Sequence, residues 1–261
     1  MIMMWQQISD EGSSNKINAR IILGLSEILN LISNDKLNQN EKDEVKQWLF
    51  ELTNDLITSE KSALKVIKEH DNAEQQASEL IKKGTLPSFL LNNGVYNFLN
   101  YSNNVFKKLQ KVMAIIFKQN INGDNMGIII KIIKNQLAHD HHVIKTLETY
   151  KPWYETVNNL RNEIEHLKIS DALIINYTLD ENANLIRPRF RNYGDKQKYQ
   201  GFEVYEFVVE SLKYQLLFCE ELIVHSLLDN TSDEFELLEI PENERDIKKP
   251  ARFKITLRGM N

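Results

Sequence analysis

Apolar residues recur at three- and four-residue intervals along most of this chain, the spacing that lines one face of an α-helix. Ile17, Ile21, Leu25, Ile28, Leu29 and Ile32 keep that period and predict a first helix over residues 17–32. The run Asn34-Asp35-Lys36-Leu37-Asn38-Gln39-Asn40 reads as a polar turn. Val45, Trp48, Leu49, Leu52, Leu56, Leu64, Ile67, Leu80 and Ile81 then hold the period through a long amphipathic segment. Gly84 reads as its stop and Pro87 as the break after it. Residues 89–117, with Val95, Phe98, Leu99, Val105, Phe106, Leu109, Val112, Met113 and Ile116, predict a central bundle helix. After a loop over 120–127, Ile128, Ile129, Ile132, Ile133 and Leu137 predict a helix that begins near Met126. Pro152 suits the first turn of the next one, which carries Trp153, Val157, Leu160 and Ile164 and ends near His166.

The period then changes. Leu173-Ile174-Ile175-Asn176-Tyr177-Thr178-Leu179 is β-rich, Asp180-Glu181-Asn182-Ala183-Asn184 has turn composition, and residues 185–190 predict a returning strand. A last helix over 202–228 is apolar on nearly every face, which predicts deep burial. Residues 235–240 and 252–257 predict two short strands that join the hairpin in a small antiparallel sheet. The expected fold class is mainly α: a helical bundle over 15–229 with a β-hairpin inserted at about 171–200, and a strand-forming tail over 230–261 packed on the same domain.

Composition narrows the function classes. The 261 residues are 42% hydrophobic and 26% charged, with only 9 Gly and 5 Pro, enough apolar material for a sizeable core. No apolar run approaches the roughly 20 residues that span a bilayer, and Met1-Ile2-Met3-Met4-Trp5 is too short for a signal-peptide core. A single cysteine, Cys219, excludes an intrachain disulfide framework, so the expected location is cytoplasmic. A net charge of −5 counts against a broad nucleic-acid coat. Local basic patches remain: Arg187, Arg189, Arg191, Lys196 and Lys198 stand against the one acid Asp195, and Arg245, Lys248, Lys249, Arg252, Lys254 and Arg258 follow in the tail. Solvated loops and strand faces, or contacts with RNA phosphates, both fit these clusters.

The most specific feature is Arg161-Asn162-Glu163-Ile164-Glu165-His166. Arginine, a polar residue, then histidine with four residues between the two resembles the signature of the HEPN superfamily, the higher eukaryote and prokaryote nucleotide-binding helical domains. The position late in a helical bundle, with one more long helix following, is similar as well. The resemblance implies an RNA-binding helical domain, a metal-independent endoribonuclease with a 2′,3′-cyclic phosphate product, and an active site shared across a homodimer. It further implies single-stranded RNA as substrate, no cofactor, and a partner in toxin–antitoxin or antiphage defence. Arg161, Asn162 and His166 would be its catalytic set.

The residue types suit that chemistry. Histidine titrates near neutrality and serves as acid or base, while arginine presents a permanently charged planar fork to phosphate oxygens. Residues five apart on an ideal helix diverge by about 140°. A two-fold pairing of subunits would bring two copies of the motif into one cleft and so supply both an acid and a base. Glu163 and Glu165 flank the motif, where their charge either opposes RNA or holds His166 protonated. A non-catalytic RNA-binding or protein-interaction scaffold fits the same residues.

Other candidates are weaker. His139 and His142 share a helix face with Asp140 nearby, the geometry of two metal ligands, but no third ligand follows from spacing, so no metal site is expected. His70 and His225 stand alone. Phe190, Tyr193, Tyr199 and Phe202 interleave with the basic hairpin, which suits either base stacking or packing of the hairpin onto the bundle. The sequence contains no glycine-rich phosphate loop or nucleophile elbow.

Overall fold

The structure is a computed structural model that describes residues 12–88, 92–123, 125–166, 174–191, 202–232 and 234–259, with the backbone alone described at 92, 93 and 166. Six α-helices dominate the described residues: α1 (Leu25–Leu31), α2 (Gln39–Lys82), α3 (Asn92–Ile116), α4 (Met126–Lys134), α5 (His142–His166) and α6 (Val204–Leu228). The chain divides into two compact units, one formed by Met1–Ile57, Asn104–Pro152 and Leu216–Asn261, the other by Thr58–Asn103 and Trp153–Gln215. The helices α2, α3, α5 and α6 contribute residues to both.

Local chemistry explains most helix ends. Asn38 Oδ1 accepts from the Glu41 amide at 3.0 Å while Glu41 Oε2 accepts from the Asn38 amide at 2.8 Å. This reciprocal cap satisfies two otherwise orphaned donors and starts α2. At 44 residues α2 is about 66 Å long. It ends where Gly84 takes φ +74°, letting Gly84 N donate to Ile81 O and Thr85 N to Leu80 O, both at 2.9 Å. Asn125 caps α4 by accepting from the Gly127 amide. Pro152 departs from expectation: it lies inside the 25-residue α5 instead of in the first turn of a helix. Leu147 and Tyr150 before it, and Tyr154 and Val157 after it, are all buried. The packing of those turns outweighs the roughly 3 kcal/mol that an interior proline costs a helix.

The unit that contains both ends of the described chain opens with a π-helical stretch, Asn18–Gly24, continuous with α1. Four consecutive residues of that stretch, Asn18, Ala19, Arg20 and Ile21, are buried. Ile21, Leu25, Leu29, Leu49, Leu109, Ile129, Leu147 and Leu222 form its apolar interior. The tail contributes β5 (Phe235–Glu239) and β6 (Phe253–Leu257), paired antiparallel with Phe235 opposite Leu257 and Glu239 opposite Phe253. An ionic network runs through this interior. Arg20 bonds the Glu220 carboxylate, whose side chain is 1% exposed. Arg252 lies 3.6 Å from Glu220, 2.7 Å from Glu221 and 2.8 Å from Glu239, and Tyr150 donates to Glu221 at 3.1 Å. Cys219, fully buried beside Glu220, has its thiol pKa pushed up by burial and stays a thiol.

In the other unit the inserted hairpin forms two short ladders. β1 (Ile174–Ile175) pairs with β4 (Arg189–Phe190), and β2 (Thr178–Leu179) with β3 (Leu185–Ile186). Pro188, which has no amide to donate, sits in the break between them. The turn is built by Asp180, whose Oδ1 accepts from the amides of Asn182 and Asn184. One sheet shared by hairpin and tail was the expectation; the described strands instead form three separate two-stranded ladders. The hairpin is anchored by its apolar face: Ile174, Tyr177 and Phe190 join Phe98, Leu99, Val157, Leu160, Val204 and Val208 in a single core cluster.

Removing Glu220 would strand Arg20, whose side chain is 9% exposed, without its partner. Glu220→Ala is therefore expected to destabilise the protein by about 3–5 kcal/mol in denaturant titration. Glu239→Ala, at a carboxylate 53% exposed, is expected to cost less than about 1 kcal/mol.

Candidate nucleic-acid site

Trp153, Tyr154, Val157 and Leu160 fix the rotation of the second half of α5. Val157 and Leu160 are fully buried in the core cluster, Tyr154 donates to Asn103 Oδ1 at 3.2 Å, and the Trp153 indole donates to Ser211 Oγ at 3.0 Å. That rotation leaves Arg161 at the edge of the core, its side chain 22% exposed. Its guanidinium is clasped within the helix. Nη1 donates to Asn162 Oδ1 at 3.1 Å and to Glu165 Oε2 at 2.6 Å, and Nη2 lies 2.5 Å from Glu165 Oε1. Arg161 Nε is buried with no hydrogen-bond partner among the described residues. Arg161 and Asn162 are thus brought together, with Glu165 as a third member that the motif does not specify. α5 continues through residue 166, and the side chain of His166 lies outside the described residues.

The five basic residues of the hairpin region differ in their partners. Arg187, its side chain 42% exposed, lies 3.5 Å from both Glu74 and Glu203, between the hairpin, α2 and the start of α6. Arg189, in β4, and the exposed Arg191 carry no ion pair among the described residues. Lys196 and Lys198 lie outside the described residues, as do Tyr193 and Tyr199. Of the aromatics proposed for base stacking, Phe190 is 2% exposed and packs edge-on against Phe207 at 5.3 Å. It therefore belongs to the core. Phe202 is 45% exposed.

A cluster around His70 has no counterpart in the sequence reading. His70 is 3% exposed on α2, its ring tilted against Tyr205 at 4.3 Å and Tyr177 at 6.1 Å. Its nitrogens stand 3.8 Å from Asp71 and Glu74, too far for hydrogen bonds. Both nitrogens, the Tyr177 hydroxyl and one oxygen each of Glu74 and Glu203 are buried without a hydrogen-bond partner among the described residues. Burial, reinforced by Arg187 and opposed by Glu74 and Asp71, pulls the His70 pKa below its ordinary 6.5. Burial and Glu74 together push the Tyr177 phenol well up. Only an α2 position facing the hairpin core would have signalled His70, and its spacing does not reveal that.

His139, His141 and His142 lie in the turn before α5 and at its start. His141 Nδ1 accepts from the Val143 amide at 3.3 Å, and its Nε2 lies 3.0 Å from Asp229. No group of three metal-ligating side chains forms among the described residues. No described helix is long and apolar enough to cross a membrane. No protein-family model, curated protein or solved structure matches the chain.

The His70 environment sets a direction of pH dependence. The folded state holds the imidazole neutral while the unfolded chain protonates it near pH 6.5. The stability this contributes is present above that pH and is lost as pH falls towards and through the lower folded value. Wild-type stability, read by urea titration from pH 7.5 to 5, is expected to fall more steeply than that of His70→Gln. Parallel pH profiles would show that His70 has no such role.

Proposed function

We propose that this chain is a HEPN-type RNA-binding protein and a metal-independent endoribonuclease, with its working site assembled from Arg161, Asn162 and His166 of two subunits related by a two-fold axis. The observation that carries this reading is the Arg161 clasp. A guanidinium is held flat at the edge of the core by Asn162 and by a carboxylate, Glu165, that is itself half exposed. An exposed i,i+4 pair contributes only about 0.3–0.5 kcal/mol. A phosphodiester can therefore replace Glu165 on the same planar fork at little cost. Arg189 and Arg191, in the same unit and without ion pairs among the described residues, supply further phosphate contacts.

In the proposed reaction one histidine removes the 2′-hydroxyl proton, and the 2′-oxygen attacks phosphorus. The bond to the 5′-oxygen breaks and the partner's histidine protonates that leaving group, giving a 2′,3′-cyclic phosphate and a 5′-hydroxyl end. Arg161 stabilises the charge that builds on the phosphoryl oxygens. A nuclease of this kind fits a toxin–antitoxin or antiphage role. The same clasp favours a second reading: if Glu165 holds Arg161 permanently, the helix end is a non-catalytic binding scaffold.

Incubation with single-stranded RNA in EDTA separates the two. Cleavage yielding cyclic phosphate ends is expected, reduced at least about 100-fold in both Arg161→Ala and His166→Ala. Glu165→Gln is expected to tighten RNA binding and steepen its salt dependence, whereas Arg161→Ala weakens binding and flattens it. RNA binding without cleavage would establish the scaffold. Cleavage that persists in His166→Ala, or RNA binding indifferent to Arg161→Ala, would overturn the assignment.

A further inference from the structure

The unit holding the chain ends contains a groove of about 390 Å³, within the range of small-molecule sites, between the start of α5, the end of α6 and the β5–β6 ladder. Leu228, Phe235, Leu237, His142, His225 and Arg258 are among the residues that line it. Its polar groups are set up in a particular way.

Thr146 Oγ1 lies 3.0 Å from the His142 carbonyl and 2.9 Å from His225 Nδ1, and the contact with Nδ1 holds the imidazole in place. His225 Nε2 has no hydrogen-bond partner among the described residues. Burial, helped by the neighbouring His142, holds the His225 pKa below its usual value, so the ring is neutral at pH 7. The His142 ring borders it at 5.4 Å.

Arg258 follows β6, with its backbone fixed by donation from its amide to Glu234 O at 2.7 Å. Its guanidinium has no ion pair among the described residues. Two carboxylates also line the groove. Asp229 is turned to His141 at 3.0 Å, and Glu236 is engaged as well. The Leu228 carbonyl, at the negative end of α6, is taken up by the amide and hydroxyl of Thr231. The groove therefore offers a cation without an ion pair among the described residues, an imidazole nitrogen and apolar side chains with one aromatic ring.

We propose that this groove is a ribonucleotide-binding site, in which Arg258 takes the phosphate, His225 Nε2 hydrogen-bonds the ribose 2′-hydroxyl, and Leu228, Phe235 and Leu237 cover the base. The three groups match the three parts of a nucleotide. A hydrogen bond to the 2′-hydroxyl distinguishes ribose from deoxyribose, which lacks that group. The site is independent of Arg161 and uses residues of the other unit.

Calorimetric titration of the full chain with adenosine 5′-monophosphate, its 2′-deoxy analogue, inorganic phosphate and a hexameric single-stranded RNA tests it. Saturable binding of the ribonucleotide is expected, with the deoxy analogue weaker by about threefold to tenfold, the loss of one hydrogen bond. Arg258→Ala is expected to weaken binding by about tenfold or more. Lys254→Ala is expected to leave it unchanged. Tighter binding of the hexamer, lost in Arg258→Ala, would identify the ribonucleotide as part of an RNA strand, and tighter binding of the monophosphate as a free nucleotide. Absence of saturable binding, equal affinity for ribo and deoxy forms, equal affinity for inorganic phosphate, or indifference to Arg258→Ala would each overturn the proposal.

Discussion

Burial of the Glu220 carboxylate places a demand on everything around it. An anion with a side chain 1% exposed cannot stay charged without cations at contact distance, and its desolvation is costly enough to raise its own pKa against the pull of Arg20. The chain meets the demand from two distant places: Arg20 from the π-helical stretch, and Arg252 from the residue before β6. Glu221 and Glu239 share Arg252 and tie the tail ladder to α6. Because β5 and β6 pair in fixed register, placing Arg252 also places Arg258 six residues on, with Phe235 opposite the neighbouring Leu257. The walls of the groove beside His225 follow from this one ionic network.

In the other unit, partners matter more than the number of charges. Arg187 looks like a phosphate contact in sequence, yet it is committed to Glu74 and Glu203. Arg161 is committed too, but to a half-exposed carboxylate on its own helix, which solvent weakens and a phosphate can displace. Arg189 and Arg191 have no ion pair among the described residues. Three arginines close in sequence thus divide into one that is ion-paired and two that carry no ion pair among the described residues. Phe190 follows the same logic among the aromatics: its side chain belongs to the hairpin's apolar face, and burying it is what holds the hairpin in place.

The buried polar atoms around His70 belong with that hairpin. The neutral imidazole, the Tyr177 phenol and the two carboxylates gather where α2 meets the hairpin, and Arg187 offsets their charge from the rim. His70 and His225 both looked isolated, because a histidine's partners need not be sequence neighbours. His225 shares a hydrogen bond with Thr146, 79 residues away.

What the sequence determined by itself is the series of helices and their ends. The capping exchange of Asn38 with Glu41, the Gly84 stop, the Asp180 turn and the two tail strands all depend on neighbours within a few residues, so spacing and residue type suffice to find them. Pro152 misled because its local preference for a first turn is smaller than the burial of the turns on either side, and burial is not a local property. Only the tertiary structure decided which charges meet. The pairing of Arg20 with Glu220 spans 200 residues, and that of Arg187 with Glu74 spans 113. Coulomb and hydrogen-bond energies depend on distance in space, and the chain brings such residues together only by packing its apolar faces first.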